Sequence, residues 1–208
     1  MLHIETVESN TLSLLNRLMQ IPVLEKFNLV GGTALSLQYG HRISVDLDIF
    51  SNVKFDNNLI IAALQNEFSD QFEYEGGLNK FGIFCYINNV KVDIVYYPHP
   101  IICNSILIEK IRMYASIEIF AMKIQAILGR GKKKDFWDIA TLLKHHTVES
   151  VIMHHQQKYP SQQLLISIPQ ALTYFADADE SEDPISLQGQ TWESVKKIIQ
   201  QHVNNYLK

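Results

Sequence analysis

The chain has 208 residues, of which 47% are hydrophobic, 19% charged and 10% aromatic, enough for one compact domain, with or without a helical extension, to bury a core unaided by disulfide or metal staples. Its 18 Lys and Arg against 22 Asp and Glu leave a formal charge of −4, which excludes an all-over basic coat for nucleic acid and confines any such contact to a local patch. The start, MLHIETVESN, lacks a basic and apolar leader pattern, no apolar run is long enough to span a bilayer, and Cys85 and Cys103 sit in apolar runs without metal-ligand spacing. The expectation is a cytoplasmic protein with reduced thiols and no membrane association.

Leu12, Leu15, Leu18 and Met19 recur at helical spacing, so a helix is expected over residues 9 to 20, stopped by Pro22. Phe27 to Val30 reads as a strand halted by Gly31-Gly32, and Thr33 to Tyr39 as a helix closed by Gly40. Ile43 to Phe50 alternates as a strand, with Val45, Leu47 and Ile49 on one face and Asp46 and Asp48 on the other. Leu59 to Phe72 is expected to be helical. Phe81 to Ile87 and Val90 to Tyr97 read as a hairpin turning at Asn88-Asn89, after which Pro98 and Pro100 end the sheet region.

The second half changes period. Ile117, Phe120, Ala121, Ile124, Ile127 and Leu128 form a helical stripe closed by Gly129. Further helices are expected over Asp135 to His145, Leu164 to Phe175 and Thr191 to Leu207, the last with Trp192, Val195, Ile199 and Val203 inward. Between the last two, Asp177 to Pro184 (DADESEDP) reads as a solvated acidic linker. The layout is a mixed α/β module over residues 1–105 and a helical bundle over 106–208 packed on it.

The chemistry concentrates in Leu29 to Phe50, LVGGTALSLQYGHRISVDLDIF. Glycines permit close backbone approach, and the N–H groups opening the following helix can hold an anion such as a triphosphate. Asp46 and Asp48, two apart on a strand, point the same way, and two hard oxygen donors converging on one point suit Mg²⁺. Like charges this close repel and call for a compensating cation. Asp93, in the apolar strand VKVDIVYYP, supplies a third carboxylate, and together the three can hold two metal ions, one at the attacking hydroxyl and one at the triphosphate. Lys123 lies one position off the Phe120/Ile124 stripe, where it either snorkels or reaches a shared cleft. Arg130, Lys132, Lys133 and Lys134 are the densest basic cluster, while Asp135 and Asp138 fit N-cap and N3 positions of a helix. His145-His146 and His154-His155 are spaced too far apart to favour a transition-metal site, His41 fits a structural role as well as a phosphate contact, and no P-loop is present.

The segment GGTALSLQYGHRISVDLDIF resembles motif I of the AbiEii/AbiGii abortive-infection toxins, within the minimal nucleotidyltransferase branch of the DNA polymerase β superfamily. The Gly40-His41-Arg42 and Ser44 context and the run SIEIFAMKIQAILGRGKKKDFWDIATLL (Ser116 to Leu143) are similar to that family as well, and the resemblance spans nearly the whole chain. It implies an α+β fold: a polymerase-β-like mixed sheet with flanking helices, plus a C-terminal helical bundle completing the nucleotide cleft. It further implies Mg²⁺ or Mn²⁺ held by Asp46, Asp48 and Asp93, with Lys123 acting on phosphates or a catalytic acid. Gly31, Gly32, Thr33, Arg42, Ser44, Lys134 and Asp138 are implied in nucleotide binding. The implied reaction moves an NMP from an NTP to an acceptor hydroxyl with release of pyrophosphate. Relatives act as toxins of two-gene phage-defence systems and some modify tRNA 3′ ends, so a tRNA acceptor and a cognate antitoxin are expected partners. A nucleotide-binding module acting through a partner, and an enzyme nucleotidylating a protein hydroxyl, stand as alternatives.

Overall fold

The computed structural model describes residues 1–77, 81–129 and 131–208; Arg130 of the basic cluster lies outside them. In chain order the elements are α1 (Ser9–Leu18), β1 (Asn28–Val30), α2 (Gly31–Tyr39), β2 (Leu47–Ser51), α3 (Asn57–Phe68), β3 (Phe72–Glu73), β4 (Gly82–Ile87) and β5 (Val90–Tyr96). There follow β6 (Ile106–Ile108), β7 (Ile111–Met113), α4 (Ser116–Gly129), α5 (Lys133–Leu142), α6 (Val148–Lys158), α7 (Ile168–Thr173), α8 (Ala176–Asp179) and α9 (Trp192–Tyr206). The strands form one mixed sheet ordered β3-β4-β5-β2-β1-β7-β6. β2 runs parallel to β5 and β1 parallel to β7, while the other neighbours are antiparallel. This is an α+β architecture, a mixed sheet with flanking helices, as expected.

Strand alternation builds the two faces. Leu47, Ile49, Ile83, Cys85, Ile87, Val92 and Ile94 are buried on one side, with α3 lying against β3 and β4. The opposite face carries Asp48, Asp93, Lys91, Phe84 and Tyr86. β2 and β5 are interior strands, so Asp48 and Asp93 stand within the sheet and not on its edge. Helices α4, α5, α6, α7 and α9 pack on one another, and α2 joins them to the sheet through α4 and α5. One continuous apolar core runs from Leu2 to Val203.

Four differences from the sequence expectation have physical reasons. β2 starts at Leu47, because the Ile43 amide donates to the Ile185 carbonyl (2.9 Å) and the Ser44 amide to the Thr6 carbonyl (2.9 Å), which draws that stretch away from the ladder. The sheet does not end at Pro98: β6 and β7 add a hairpin on its far side, so the division at residue 105 falls just before two strands that belong with the sheet. Their turn residues Glu109 and Lys110 have φ of 51° and 68°, the conformation of Asn88-Asn89 (51° and 62°) without the Asn or Gly that advertises it. The helix expected from Leu164 starts only at Ile168, where Ser167 and Gln170 form a capping box. The acidic segment is not a free linker, for it contains α8 and returns to the sheet through an Arg42–Ser186 bridge.

Candidate active site

The register aligns Asp48 of β2 with Asp93 of β5, so the two carboxylates sit side by side on the open face. Burial, and then the Asp93 charge, push the Asp48 carboxyl above the ordinary value. Asp93 Oδ1 is buried without a hydrogen-bond partner, and its Oδ2 receives the Lys91 ammonium at 2.6 Å. Asp46 precedes β2, and its carbonyl accepts from Thr33 Oγ1 (2.5 Å). Its carboxylate lies 3.8 Å from Lys134 Nζ, both groups being well exposed. Lys91 was missed in the sequence, although the alternation K-V-D puts it on the face of Asp93.

Gly31 and Gly32 open α2 and earn their place by packing. Gly31 has φ +69°, and a Cβ there would stand 2.2 Å from Asp48 Oδ2. At Gly32 it would stand 2.1 Å from the Arg42 guanidinium and 3.3 Å from Ser44 Oγ. The side of the turn where a Cβ would stand is thus filled by the protein's own charged groups. Thr33 is buried, with Oγ1 bonded to the Asp46 carbonyl and 2.8 Å from Ser44 Oγ, so its hydroxyl and that of Ser44 shape the approach to the carboxylates. What remains for an anion is the set of backbone N–H groups of the first helical turn, which lack intrahelical acceptors.

Asp138 is the hub of a buried charge network. Its Oδ1 accepts from Arg42 Nε (2.7 Å) and its Oδ2 from Arg42 Nη2 (3.0 Å). Lys123 Nζ lies 2.6 Å from Oδ2 and 2.9 Å from Asp135 Oδ1. His41 Nε2 lies 2.7 Å from Oδ1 with both side chains fully buried, which makes its role structural. Burial works to raise the Asp138 pKa, but Arg42, Lys123 and the His41 bond outweigh it and hold the carboxyl well below 3.8. Burial likewise works to lower Lys123 and Arg42, and Asp138 outweighs it in both. Asp138 and Arg42, both expected at the nucleotide, are thus paired with each other. Nor is Asp135 an N-cap: α5 begins at Lys133 with Lys132 at the cap, placing Asp135 at N3 and Asp138 in the helix interior.

Two clefts open beside the carboxylates. One, about 460 Å³, is lined by Gly31, Asp48, Phe50, Tyr97, Met122 and Lys123 among others. The other, about 520 Å³, lies between Arg42–Asp46, Lys132 and Lys134 on one side and the acidic segment Glu180–Ile185 on the other. That segment is tied down: Lys133 Nζ meets Asp183 at 2.8 Å and the Lys133 amide donates to Ser181 Oγ at 2.9 Å.

Among the described residues, no three His, Cys, Asp or Glu side chains stand close enough together to hold a metal ion. The expected cluster is present as the pair Asp48 and Asp93, with Asp46 outside it. That pair fits a hard cation, since Mg²⁺ is commonly held by one or two carboxylates completed by water and substrate phosphate oxygens. The unpartnered Asp93 oxygen and the raised Asp48 pKa both mark a donor set short of positive charge. Among the described residues, no helix is long and apolar enough to cross a membrane.

With this geometry in view, the comparisons are specific. Residues 13–186 match the family model described as nucleotidyl transferase AbiEii toxin, type IV TA system. The protein aq_aa25 of Aquifex aeolicus (strain VF5) is 28% identical over 204 residues, covering 93% of this chain and 94% of that protein. Among solved structures, MenT4, a nucleotidyltransferase toxin of Mycobacterium tuberculosis H37Rv, superposes with a TM-score of 0.57 at 14% identity, covering 95% of this chain and 86% of that one. JHP933 from Helicobacter pylori gives a TM-score of 0.53 at 15% identity, over 96% and 94% of the two chains; both likenesses concern the fold. The family match over most of the chain, on the residues that build this site, identifies the protein as a nucleotidyltransferase belonging to the AbiEii toxin family.

Proposed function

We propose that the protein transfers an NMP from an NTP to the 3′ hydroxyl of an RNA, with tRNA the favoured acceptor, and that it does so as the toxin of a pair with a cognate antitoxin. The observation that carries this reading is the Asp48–Asp93 pair on the same open face as a cleft lined by Gly31 and Lys123. The acceptor oxygen forms a bond to the α-phosphorus, the bond from that phosphorus to the bridging oxygen breaks, pyrophosphate leaves, and the hydroxyl proton is released. Asp48 and Asp93, joined by Asp46, would hold Mg²⁺ or Mn²⁺. When bound, the cation neutralises phosphate charge and acidifies the attacking hydroxyl.

The chain's own groups do the rest. The first-turn amides of α2 orient the phosphates through the helix dipole. Lys123, kept charged by Asp135 and Asp138, presents a fixed positive charge to the cleft, and Lys134, exposed beside Asp46, adds a mobile one. Asp93, whose Oδ1 has no hydrogen-bond partner, would help to take the acceptor's proton. Such chemistry is mainly positioning and electrostatics, which is why so many of the site's charges are held in place by other residues.

The test incubates the purified protein with each labelled NTP, Mg²⁺, and either total tRNA or cell lysate. Label on RNA that is lost in Asp48→Asn and in metal-free buffer supports the reading. Label on protein instead moves the acceptor to a protein hydroxyl, and no Asp48-dependent transfer to anything overturns it.

A further inference from the structure

β4 presents an unusual outer face. Along Gly82–Ile87 the inward residues Ile83, Cys85 and Ile87 are at most 3% exposed, whereas the outward Phe84 and Tyr86 are 38% and 49% exposed. Phe81, at the foot of the strand, is 54% exposed and packs edge-on to Phe84 with ring centroids 5.9 Å apart. Large aromatics left in water on the face of a sheet lose the burial that normally accounts for them. Register places them beside the chemistry: Phe84 is directly across from Asp93, whose other neighbour is Asp48, and Tyr86 is directly across from Lys91. The row therefore reads Asp48, Asp93, Phe84 across three adjacent strands, with Lys91 and Tyr86 in the next row.

We infer that Phe81, Phe84 and Tyr86, with Lys91, form a stacking platform for the unpaired 3′ end of a polynucleotide acceptor. This rests on the nucleotidyltransferase reading above and adds the surface that would take the acceptor. Bases stack on aromatic faces whatever their sequence, and a lysine between such faces meets the connecting phosphate. The cleft with Lys123 opens on the Asp48 flank of the carboxylate pair and the platform lies on the Asp93 flank. Two substrates can then approach from opposite sides, as an in-line displacement at phosphorus requires. A protein hydroxyl needs no row of flat rings at the site. Contact through two or three rings also explains how a protein of net charge −4 can hold RNA without a broad basic coat.

The experiment uses the full chain and a short 5′-fluorescein single-stranded RNA, read by anisotropy for binding and by gel mobility for NMP addition. Replacing both rings, Phe84→Ala with Tyr86→Ala, is expected to weaken RNA binding by about tenfold or more, with NTP affinity and the unfolding midpoint unchanged. Phe84→Tyr with Tyr86→Phe is expected to restore it, and a blunt duplex of the same sequence to bind the parent protein weakly. The inference is overturned if the double alanine variant binds and extends the RNA as the parent does. It is equally overturned if the variant splits a dimer of this chain without altering RNA binding. Loss of all transfer by the parent would count against the enzymatic reading, whereas the platform stands or falls on the anisotropy.

Discussion

Asp48 and Asp138 are the same residue type under opposite instructions. Asp48 is set beside Asp93 with no cation of its own, and burial raises its pKa; Asp138 is surrounded by Arg42, Lys123 and His41, and its pKa falls. Removing the Asp48 charge should relieve desolvation and repulsion, so Asp48→Asn is expected to abolish transfer while unfolding at an equal or higher temperature in metal-free buffer; calorimetry beside the transfer assay checks this. Asp138→Asn has the reverse signature. A depressed carboxyl contributes stability that is present above its unfolded value, 3.8, and lost as pH falls through the lower native value. The gap in unfolding free energy between parent and Asp138→Asn, about 3–5 kcal/mol at neutral pH, should therefore hold near neutrality and shrink below 3.8. Denaturant titrations across that range measure it. The placement of Asp48 and Asp93 on one face of the sheet was legible from strand alternation alone. That of Asp138 was not, because its partners Arg42 and His41 are 96 and 97 positions away.

At the level of elements, the Gly-Gly turn shows how much of a motif is packing. Both glycines give way to charged side chains of the same site, and Gly31 also holds a positive φ. Gly31→Ala is expected to cost about 1–3 kcal/mol through overpacking and backbone strain, to displace Asp48, and to remove activity. Gly129, in α4, has open space where a Cβ would go and no positive φ. Gly129→Ala is expected to be neutral or to stabilise by up to about 1 kcal/mol. Thermal unfolding of the two variants side by side tests the contrast. Helices α1, α4 and α9 were readable because their apolar stripes are regular. Helix α6 was not, since its inward positions include His155 and Lys158, residues that interrupt a hydrophobic pattern while being buried.

Across the whole molecule, the two halves are joined by charge as well as by apolar packing. Besides the Asp138 hub, Glu118 of α4 and Lys158 of α6 form an ion pair with both side chains fully buried. Glu118 Oε2 also accepts the amides of Ile102 and Cys103 (2.9 Å each) and Lys158 Nζ donates to the Pro100 carbonyl (3.1 Å). The pair thereby fixes the chain as it leaves β5, next to Tyr97 in the cleft wall. Lys158→Met alone strands a buried carboxylate and is expected to cost about 3–5 kcal/mol, and adding Glu118→Gln to recover a good part of it. Because the core is continuous, both variants should still unfold in one transition, which scanning calorimetry would show.

Taken alone, the amino-acid sequence determined the local features: the Gly-Gly entry to α2, the outward Asp48 and Asp93, the Asn88-Asn89 hairpin, the helical stripes, and the family to which these belong. The structural features among these follow from steric rules or periodicities acting over a few residues, while the family is carried by the resemblance of whole segments. Only the tertiary structure decided what those residues touch. It joined Arg42 to Asp138 and Thr33 to the Asp46 carbonyl, folded the acidic segment onto Lys133, added the β6–β7 hairpin, and aligned Phe84 with Asp93. The reason is physical: such pairings join distant positions through desolvation and packing, and these leave no period in the chain.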